Sequence, residues 1–314
     1  MSTTLAVADS AKRPAPRLSG PIVVSVGEQS SHVLRAAAAI APVASERVHV
    51  FSAIEPLPAE AAAGDVGAMA PDLREVRRAS RLEQLSARLA EVRAEVRAEH
   101  RWLLEVEHGE PADALLQRTR EVAAALLLIG MGRQRPLDGP VGDEMALRVV
   151  GRASCPVLAV GAQLDHRPRE VVIATDFSIP SMNAARAVLP LLDRGATLHV
   201  MHVWQRSPVT DPAISKVEEV YARSLTARLV RFVADLRTPP GVSVRTAVSE
   251  GPCASQIISY ARRHNADLIV AARRGLNPIE RGLVGSVTTS LLRGASCSVL
   301  VVPEHQYDPL PSAP

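Results

Sequence analysis

The length, composition and charge of the chain already exclude several classes of protein. At 314 residues it suits two domains of about 150 residues each, and an apolar content of 47% is sufficient for both cores. A net charge of only +3, an aromatic content of 3% and the lack of alternation between aromatic and basic residues argue against a nucleic-acid surface.

The two ends of the chain differ in composition from the rest. Residues 1–20 are polar and contain Pro and basic residues, and no segment approaches the roughly 18 consecutive apolar residues of a membrane span. We therefore expect a disordered arm over 1–20, a loose tail over 305–314 and a cytoplasmic protein that has neither a membrane nor a nucleic acid as its partner.

The three cysteines, Cys155, Cys253 and Cys297, are widely separated and include no CxxC pair. They form no disulfide framework, and no Cys/His cluster has the spacing of metal ligands. We expect small buried thiols in a reducing compartment, and no metal site.

A duplication organises the rest of the chain. The segments "ASCPVLAV" (153–160) and "ASCSVLVV" (295–302) lie 142 residues apart and differ at two of eight positions. The same offset aligns 109–160 with 251–302 without a gap, and "PIVVSVG" (21–27) corresponds to "EVVIATD" (170–176). The expected domains are residues 21–162 and 169–304.

Within each copy, short apolar runs alternate with segments of helical periodicity. In the first copy the second helix falls within 71–100, where a stripe of Leu and Val faces one side. The second copy predicts strands near 171–175, 196–203, 241–249, 266–272 and 297–303, with helices near 179–193, 215–236, 254–265 and 285–295. This order implies right-handed crossovers and a parallel sheet covered on both faces, so the fold class is α/β, with two tandem five-stranded sandwiches.

The fifth strand of each copy is a near-continuous apolar run, at 156–161 and 298–303. A bare apolar edge invites pairing, and antiparallel pairing of two copies fits two-fold symmetry. We expect the copies to pack as an intramolecular pseudo-dimer through these strands.

Ligands of such sheets bind beyond the carboxyl ends of the strands, near the point where the strand order reverses. In the second copy these ends carry Asp176, Val203 with Trp204, and the loop "AARRGLNPIERGLVGS" (271–286). Glycines followed by a serine at a helix start suit an anion held by backbone amides, although glycines also simply make turns. The chain contains no GxxxxGK[ST], and no GxGxxG follows the first strand, so P-loop and dinucleotide sites are excluded.

In order, "ATDFS" (174–178), "DLIVAA" (267–272), A-x2-G-x9-G-S (272–286) and "ASCSVLVVP" (295–303) resemble the universal stress protein family. The resemblance covers nearly all of 170–303 and, more weakly, 21–161. It implies a Rossmann-like fold and, in members with G-x2-G-x9-G-S/T, bound ATP. The first glycine of that pattern is Ala272 here, and alanine keeps the backbone N–H but not the freedom of glycine.

The resemblance also implies a role for each matching residue. The end of the first strand faces the adenine and ribose, Val203 meets the base through its main chain, and the loop and following helix start receive the phosphates. The implied nucleotide-binding residues are Ala174, Thr175, Asp176, Val203, Ala272, Arg273, Gly275, Gly285, Ser286 and Val287. Two alternatives stay open: Asp176 or Ser178 caps the first helix, and Ser286 caps the last one.

The resulting hypothesis is a nucleotide-binding stress-response protein, a regulatory binding module and not an enzyme. Its ligand would be ATP, ADP or AMP, with Mg²⁺ as a candidate companion, and a homodimer and an unidentified protein partner are candidate assemblies. One alternative is a slow ATPase or nucleotidyl transferase at the same site, for which only Asp211 and Glu280 offer nearby carboxylates. The other is an interaction module without a ligand, if Ala272 closes the site.

The first copy lacks the glycine pattern. The offset of 142 places Arg133, Asp143 and Glu144 where the second copy has its two glycines and the serine. Acidic residues suit a helix N-terminus but repel a phosphate held there. We therefore expect nucleotide in the second copy only, with the first as a structural and regulatory half.

Overall fold

The structure, a computed structural model, describes residues 2–5, 18–27, 30–41, 47–55, 71–96, 102–131, 141–161, 164–207, 211–273 and 284–304. The chain divides into two compact units. The first unit is 17–166, and the second is 167–314 together with 1–16. The division falls between the expected domains 21–162 and 169–304.

Strands and helices alternate in the first unit. Strand β1 (Ser2–Leu5) opens the chain but belongs to the second unit. The first unit then contains β2 (Ile22–Ser25), α1 (Ser31–Ile40), β3 (Val48–Ile54), α2 (Pro71–Val96), β4 (Trp102–His108), α3 (Pro111–Glu121), β5 (Leu126–Gly130), α4 (Val141–Arg152) and β6 (Val157–Val160). Within this unit, the described strands lie in the order β6-β5-β2-β3-β4 and every pairing is parallel.

The second unit repeats that order. It contains β7 (Glu170–Ala174), α5 (Ile179–Val188), a 3-10 turn (Leu189–Leu191), β8 (Thr197–Trp204), α6 (Pro212–Leu236), β9 (Ser243–Glu250), α7 (Cys253–Arg263), β10 (Leu268–Arg273), α8 (Ser286–Gly294) and β11 (Ser298–Pro303). The described strands lie in the order β1-β9-β8-β7-β10-β11, and β7 to β11 pair in parallel. The predicted α/β class with two tandem parallel-sheet units is confirmed. The expected pseudo-dimer through β6 and β11 stays a prediction.

The central strands form the core of each unit because helices cover both faces of the sheet. In β7 the side chains of Val171, Val172 and Ile173 are fully buried, as are those of Leu268, Ile269 and Val270 in β10. A strand buried on both faces reads as a continuous apolar run rather than an alternating one. These runs therefore fix the two strands at the centre of the second sheet.

The arm at the start of the chain corrects one expectation. Residues 1–20 were expected to be disordered, whereas Ser2–Leu5 pairs antiparallel with β9, from Ser2↔Ala247 to Leu5↔Val244. Among the parallel strands of the second unit, only β8 pairs with β9. The other edge of β9 therefore presents backbone groups that need partners, and the short β-branched segment Ser2–Leu5 supplies them. The expected tail over 305–314 lies outside the described residues.

The cysteines differ in burial. Cys155 is 7% exposed, and burial raises the pKa of its thiol to about 12. Cys253 and Cys297 are only half-buried, so the expectation of buried thiols is wrong for these two. None of the three forms a disulfide within the described part of the chain.

Maleimide labelling of the native protein should therefore separate the cysteines. Cys155 stays protonated and inaccessible near pH 8, so we expect Cys253 and Cys297 to react first, as read by peptide mass spectrometry. Unfolded protein, which should label at all three, is the control. Equal native rates at Cys155 and Cys253 would contradict the packing around β6.

Candidate functional site

The strand order of the second unit reverses between β7 and β10. The chain moves from β7 to β8 and β9 on one side and then crosses to β10 on the other. Pairing of β7 with β10 runs only to Ile173↔Val270, whereas β10 stays paired with β11 to Arg273↔Pro303. The two central strands thus part at their carboxyl ends, where the sequence predicts the ligand.

The turn that leaves β7 is held by its own side chains. Thr175 is buried, and its backbone N–H donates to the Met201 carbonyl at 2.9 Å. Its hydroxyl oxygen accepts the Phe177 N–H at 2.9 Å and lies 2.9 Å from the Ser181 hydroxyl. Phe177 adopts a φ of +66°, which is uncommon for a bulky residue. The turn is therefore fixed tightly enough to hold a left-handed residue at its centre.

Asp176 projects from this turn as an exposed carboxylate. Its Oδ1 accepts the Ser178 N–H at 3.0 Å and also the Ser178 hydroxyl. Ser178 is the N-cap of α5, since its hydroxyl oxygen accepts the Ser181 N–H. Of the two residues considered as caps, Ser178 takes that role and Asp176 orients it through Oδ1.

His202 supports the same turn from β8. Its Nδ1 lies 2.8 Å from the Thr175 carbonyl oxygen and its Nε2 lies 3.0 Å from the Tyr221 hydroxyl. A carbonyl only accepts, so Nδ1 carries the proton and Nε2 accepts from Tyr221 when the ring is neutral. Burial lowers the pKa of His202, with a smaller contribution from the charge of Arg228. The ring of Phe177 stacks on it, with centroids 4.5 Å apart.

The main chain of Val203 faces the parted strands. Alternate residues of a parallel strand direct their N–H and C=O to the same neighbour, and Met201 directs its carbonyl to the β7 side. Strand β7 ends at Ala174, opposite Met201, so the same-facing groups of Val203 lie beyond that end. Trp204 directs its carbonyl the other way, to the Gly251 N–H at 3.0 Å. The N–H and C=O of Val203 therefore have no pairing partner on β7.

The far side of the opening is formed by the end of β10. Ala272 and Arg273 are half-buried there, and burial lowers the pKa of the Arg273 guanidinium while Glu304 raises it. Gly275, like Glu280, falls within 274–283, outside the described residues. Asp211, the other carboxylate considered for catalysis, is the N-cap of α6 and accepts the Ala213 N–H at 2.8 Å.

Among the described residues, no side chain caps the backbone amides at the start of helix α8. Gly285 is its N-cap, and the first helical bond runs from the Thr289 N–H to the Gly285 carbonyl. The amides of Ser286 and Val287 precede that bond, as the first amides of any helix do. Ser286 is the first helical residue, so the alternative in which it caps the helix is wrong.

Nothing in the described structure explains why residue 285 is a glycine. Its φ is −56°, which any residue adopts, and a Cβ added to it would meet nothing within 4 Å. Neither the backbone nor local packing therefore requires glycine there. Over the described residues, the space beside Gly285 is therefore open, as it would be where another molecule approaches the backbone closely.

Sequence reasoning missed two further residues at this edge. His202 is not among the predicted site residues, and Cys253 is expected only as a small buried thiol. Cys253 begins α7, and its pKa is raised by burial and then by the charge of Asp176, which places the thiol within electrostatic reach of the carboxylate. Its place directly after Gly251 and Pro252, beyond a strand end, was the available signal.

Over the described part of the chain, no group of three or more His, Cys, Asp or Glu side chains could hold a metal ion. His199 is fully buried in the sheet, with Nε2 at 2.8 Å from Glu170 and Nδ1 at 3.1 Å from the Tyr260 hydroxyl. Within the same described ranges, no helix combines the length and apolarity needed to cross a membrane.

The corresponding edge of the first unit is filled by side chains. Val26 occupies the place of Thr175 and Ser52 that of His202. The guanidinium of Arg81 donates to the Ser52 hydroxyl at 2.9 Å and to the Val26 carbonyl at 3.4 Å. Arg88 donates to the Gly27 carbonyl at 3.0 Å. Two arginines of α2 thus cover the carbonyls at the end of β2.

Further differences follow at β5 and α4. Gly130 aligns with Ala272 at the offset of 142. A Cβ added to Gly130 would lie 3.4 Å from His32, so an imidazole occupies the space beside this glycine. Helix α4 begins at Val141, which places Asp143 and Glu144 inside its first turns rather than at its cap as the gap-free offset implied. Arg133 lies outside the described residues.

Comparison with known proteins gives consistent matches. A model of the universal stress protein family matches residues 20–161 and again 168–303. A universal stress protein of Methanocaldococcus jannaschii is 30% identical over 138 residues, which cover 43% of this chain and 81% of that protein. A putative universal stress protein of Staphylococcus aureus strain USA300 is 40% identical over 93 residues, or 27% of this chain and 56% of that protein. The crystal structure of a universal stress protein from Archaeoglobus fulgidus superposes with a TM-score of 0.61 at 17% identity, over 91% of this chain and 96% of that one.

The lowered pKa of His202 predicts a pH-dependent stability. The ordinary value is 6.5, and the folded value lies below it because burial disfavours the charged ring. The unfolded chain therefore binds the proton more readily, so this contribution is complete above 6.5 and is lost as the pH falls below it. Urea unfolding midpoints measured from above pH 7 to about pH 5.5 should fall less steeply for His202→Gln than for the unmodified protein. Identical slopes would show that His202 is not held neutral.

Proposed function

The chain belongs to the universal stress protein family, and from that premise we propose that its second unit binds one adenine nucleotide at the opening between β7 and β10. Through this binding the protein acts as a regulatory module in a stress response. The observation that carries the proposal is the start of α8, where, over the described residues, no side chain caps the helix and nothing in the packing requires the glycine at position 285.

The phosphate end of the proposed site is the N-terminus of α8. The amides of Ser286 and Val287 and the positive end of the helix dipole favour an anion, and the Ser286 hydroxyl is exposed beside them. Arg273, half-buried at the end of β10, would add a positive charge on the approach from the ribose. Mg²⁺ usually reaches such a site on the phosphates themselves, with few protein ligands.

The adenine end is the turn after β7. The Asp176 carboxylate accepts hydrogen bonds, as recognition of an exocyclic amine requires, and the Val203 main chain offers both a donor and an acceptor. Ala174 and Thr175 join the end of β7 to this turn. Thr175 is buried and locked by Met201 and His202, so it supports the turn rather than reaching toward a ligand.

Restriction of the nucleotide to the second unit is supported by the first unit's own side chains. Arg81, Arg88 and His32 occupy the space that Asp176 and the open edge leave free in the second unit. An adenine there would have to displace guanidinium groups from the carbonyls they satisfy, which leaves the carbonyl of the buried Val26 unpaired. The first unit is then a structural and regulatory half.

A binding role is favoured over catalysis by the state of the available carboxylates. Asp211 is occupied as a helix cap, and Asp176 is engaged with Ser178 at the end remote from the phosphates. In the part of the chain described here, no group of three or more His, Cys, Asp or Glu side chains could hold a catalytic metal ion. Slow hydrolysis remains the alternative for which Glu280 is the candidate.

Charge reversal at the start of α8 tests the phosphate end. Gly285→Asp places a carboxylate where the phosphate would lie, and a like-charge pair at about 4 Å costs on the order of 4 kcal/mol at an effective dielectric of 20, before screening. We expect ATP binding, measured by calorimetry, to weaken at least about tenfold. Ser290→Asp, the same charge exposed one turn further along α8, is the matched control and should bind normally. Equal affinity in the two variants would refute the assignment.

Stoichiometry tests the restriction to one unit. Calorimetry or native mass spectrometry should give one nucleotide per chain, and Asp176→Ala with Gly285→Asp should abolish it. A second equivalent that survives both substitutions would show that the first unit binds nucleotide despite Arg81 and Arg88.

A further inference from the structure

A groove of about 620 Å³ opens between α5 and α6 of the second unit. It begins at Phe177, on the opposite flank of the turn that carries Asp176, and continues along both helices. It is separate from the nucleotide site proposed above, because none of the residues assigned to that site lines it.

The floor of the groove is apolar. Phe232 is buried at its base, Phe177 and Met182 are half-buried along it, and Ile179 is 78% exposed at its rim. A single exposed isoleucine is ordinary on a protein surface. Here, however, it extends a continuous apolar floor, which is the feature that marks an interaction site.

The walls are strongly basic. Arg186, Arg228, Arg231 and Arg237 line the groove against one acid, Asp235, a surplus of three positive charges. Arg186 donates to the Asp235 carbonyl at 3.1 Å, and Arg228 lies over the Phe177 ring at 4.6 Å. Among the described residues, neither Arg231 nor Arg237 forms an ion pair, so both guanidinium groups can receive a carboxylate from outside.

The combination selects one kind of occupant. A small anion would use the arginines but not the floor. A nucleic acid would need an exposed aromatic face for stacking, whereas Arg228 covers the one at Phe177. An acidic peptide that also carries apolar side chains matches both surfaces, as in recognition of an amphipathic segment by a groove between helices.

We propose that the groove between α5 and α6 docks an acidic, amphipathic segment of a partner protein. Apolar side chains of the partner pack on Phe177, Met182 and Ile179, and its carboxylates pair with Arg228, Arg231 and Arg237. The basic walls of the groove require a partner segment of negative charge. The apolar floor determines which face of that segment turns toward the groove. Docking does not depend on the nucleotide site, so it stands or falls independently of the function proposed above.

Selection from a random dodecapeptide phage library on the full-length protein tests the proposal. Enriched sequences should combine Asp or Glu with Leu, Ile or Phe, and their synthetic forms should bind in fluorescence anisotropy with an affinity that falls as salt rises. Arg228→Glu with Arg231→Glu should weaken binding at least about tenfold. Arg223→Glu, a matched charge reversal on α6 at a side chain 81% exposed and outside the groove, should leave it unchanged. Circular dichroism and thermal unfolding establish that the variants are folded.

Several outcomes would overturn the proposal. The first is a selection that yields no enrichment over the protein with Arg228→Glu and Arg231→Glu. The second is enrichment of peptides that are basic or uncharged. The third is peptide binding that Arg223→Glu weakens as much as the double variant does. Competition by a single-stranded oligonucleotide that is lost in the same variants would assign the surface to nucleic acid instead. A change in oligomeric state caused by the double variant would assign it to contact between copies of this chain.

Discussion

The parting of β7 and β10 is the constraint on which the candidate site depends. A parallel sheet whose chain winds first to one side and then to the other must reverse somewhere, and at that point the connections leave in opposite directions. Here the pairing stops at Ile173 and Val270, while β10 continues with β11. The backbone groups beyond that point, on Val203 and at the start of α8, therefore turn toward an opening rather than toward a neighbouring strand.

The two units meet this constraint in different ways. In each unit, the backbone carbonyl of the residue just after the first strand needs a hydrogen-bond donor. That residue is Thr175 in the second unit and Val26 in the first. In the second unit a neutral His202, backed by Tyr221, satisfies it from within the sheet and leaves the edge open. In the first unit a serine replaces the histidine, and Arg81 reaches across it from α2 to satisfy the carbonyl and cover the edge. The difference between His202 and Ser52 in the β-strand is thus paired with a difference in the helix that covers it. Together the two differences leave the edge open in the second unit and cover it in the first.

Much of this was predictable from the sequence, for reasons that differ by residue. Asp176 follows an apolar run and Gly285 precedes an amphipathic one, so local pattern alone places both at strand and helix ends, and the parallel fold then brings those ends to one edge. The hydrogen bond from His202 to the Thr175 carbonyl joins residues far apart in sequence, and no periodic pattern in the sequence indicates it. Cys155 and Cys297 both follow an Ala-Ser pair but differ in burial, because the surrounding packing decides it. The start of α4 was misplaced because a gap-free offset assumes equal loop lengths, and the pairing of Ser2–Leu5 with β9 rests on backbone groups that carry little side-chain signal.

Backbone amide spectra of ¹⁵N-labelled protein, recorded as ATP is added, test the central claim most directly, because the proposed contacts are largely main-chain amides. If the opening between β7 and β10 binds the nucleotide, the resonances of Val203, Ser286 and Val287 shift together and saturate at one equivalent, while those of Val26 and Gly27 stay in place. Shifts confined to the first unit, or an absence of change at Ser286 and Val287 while ATP binds, would contradict the account.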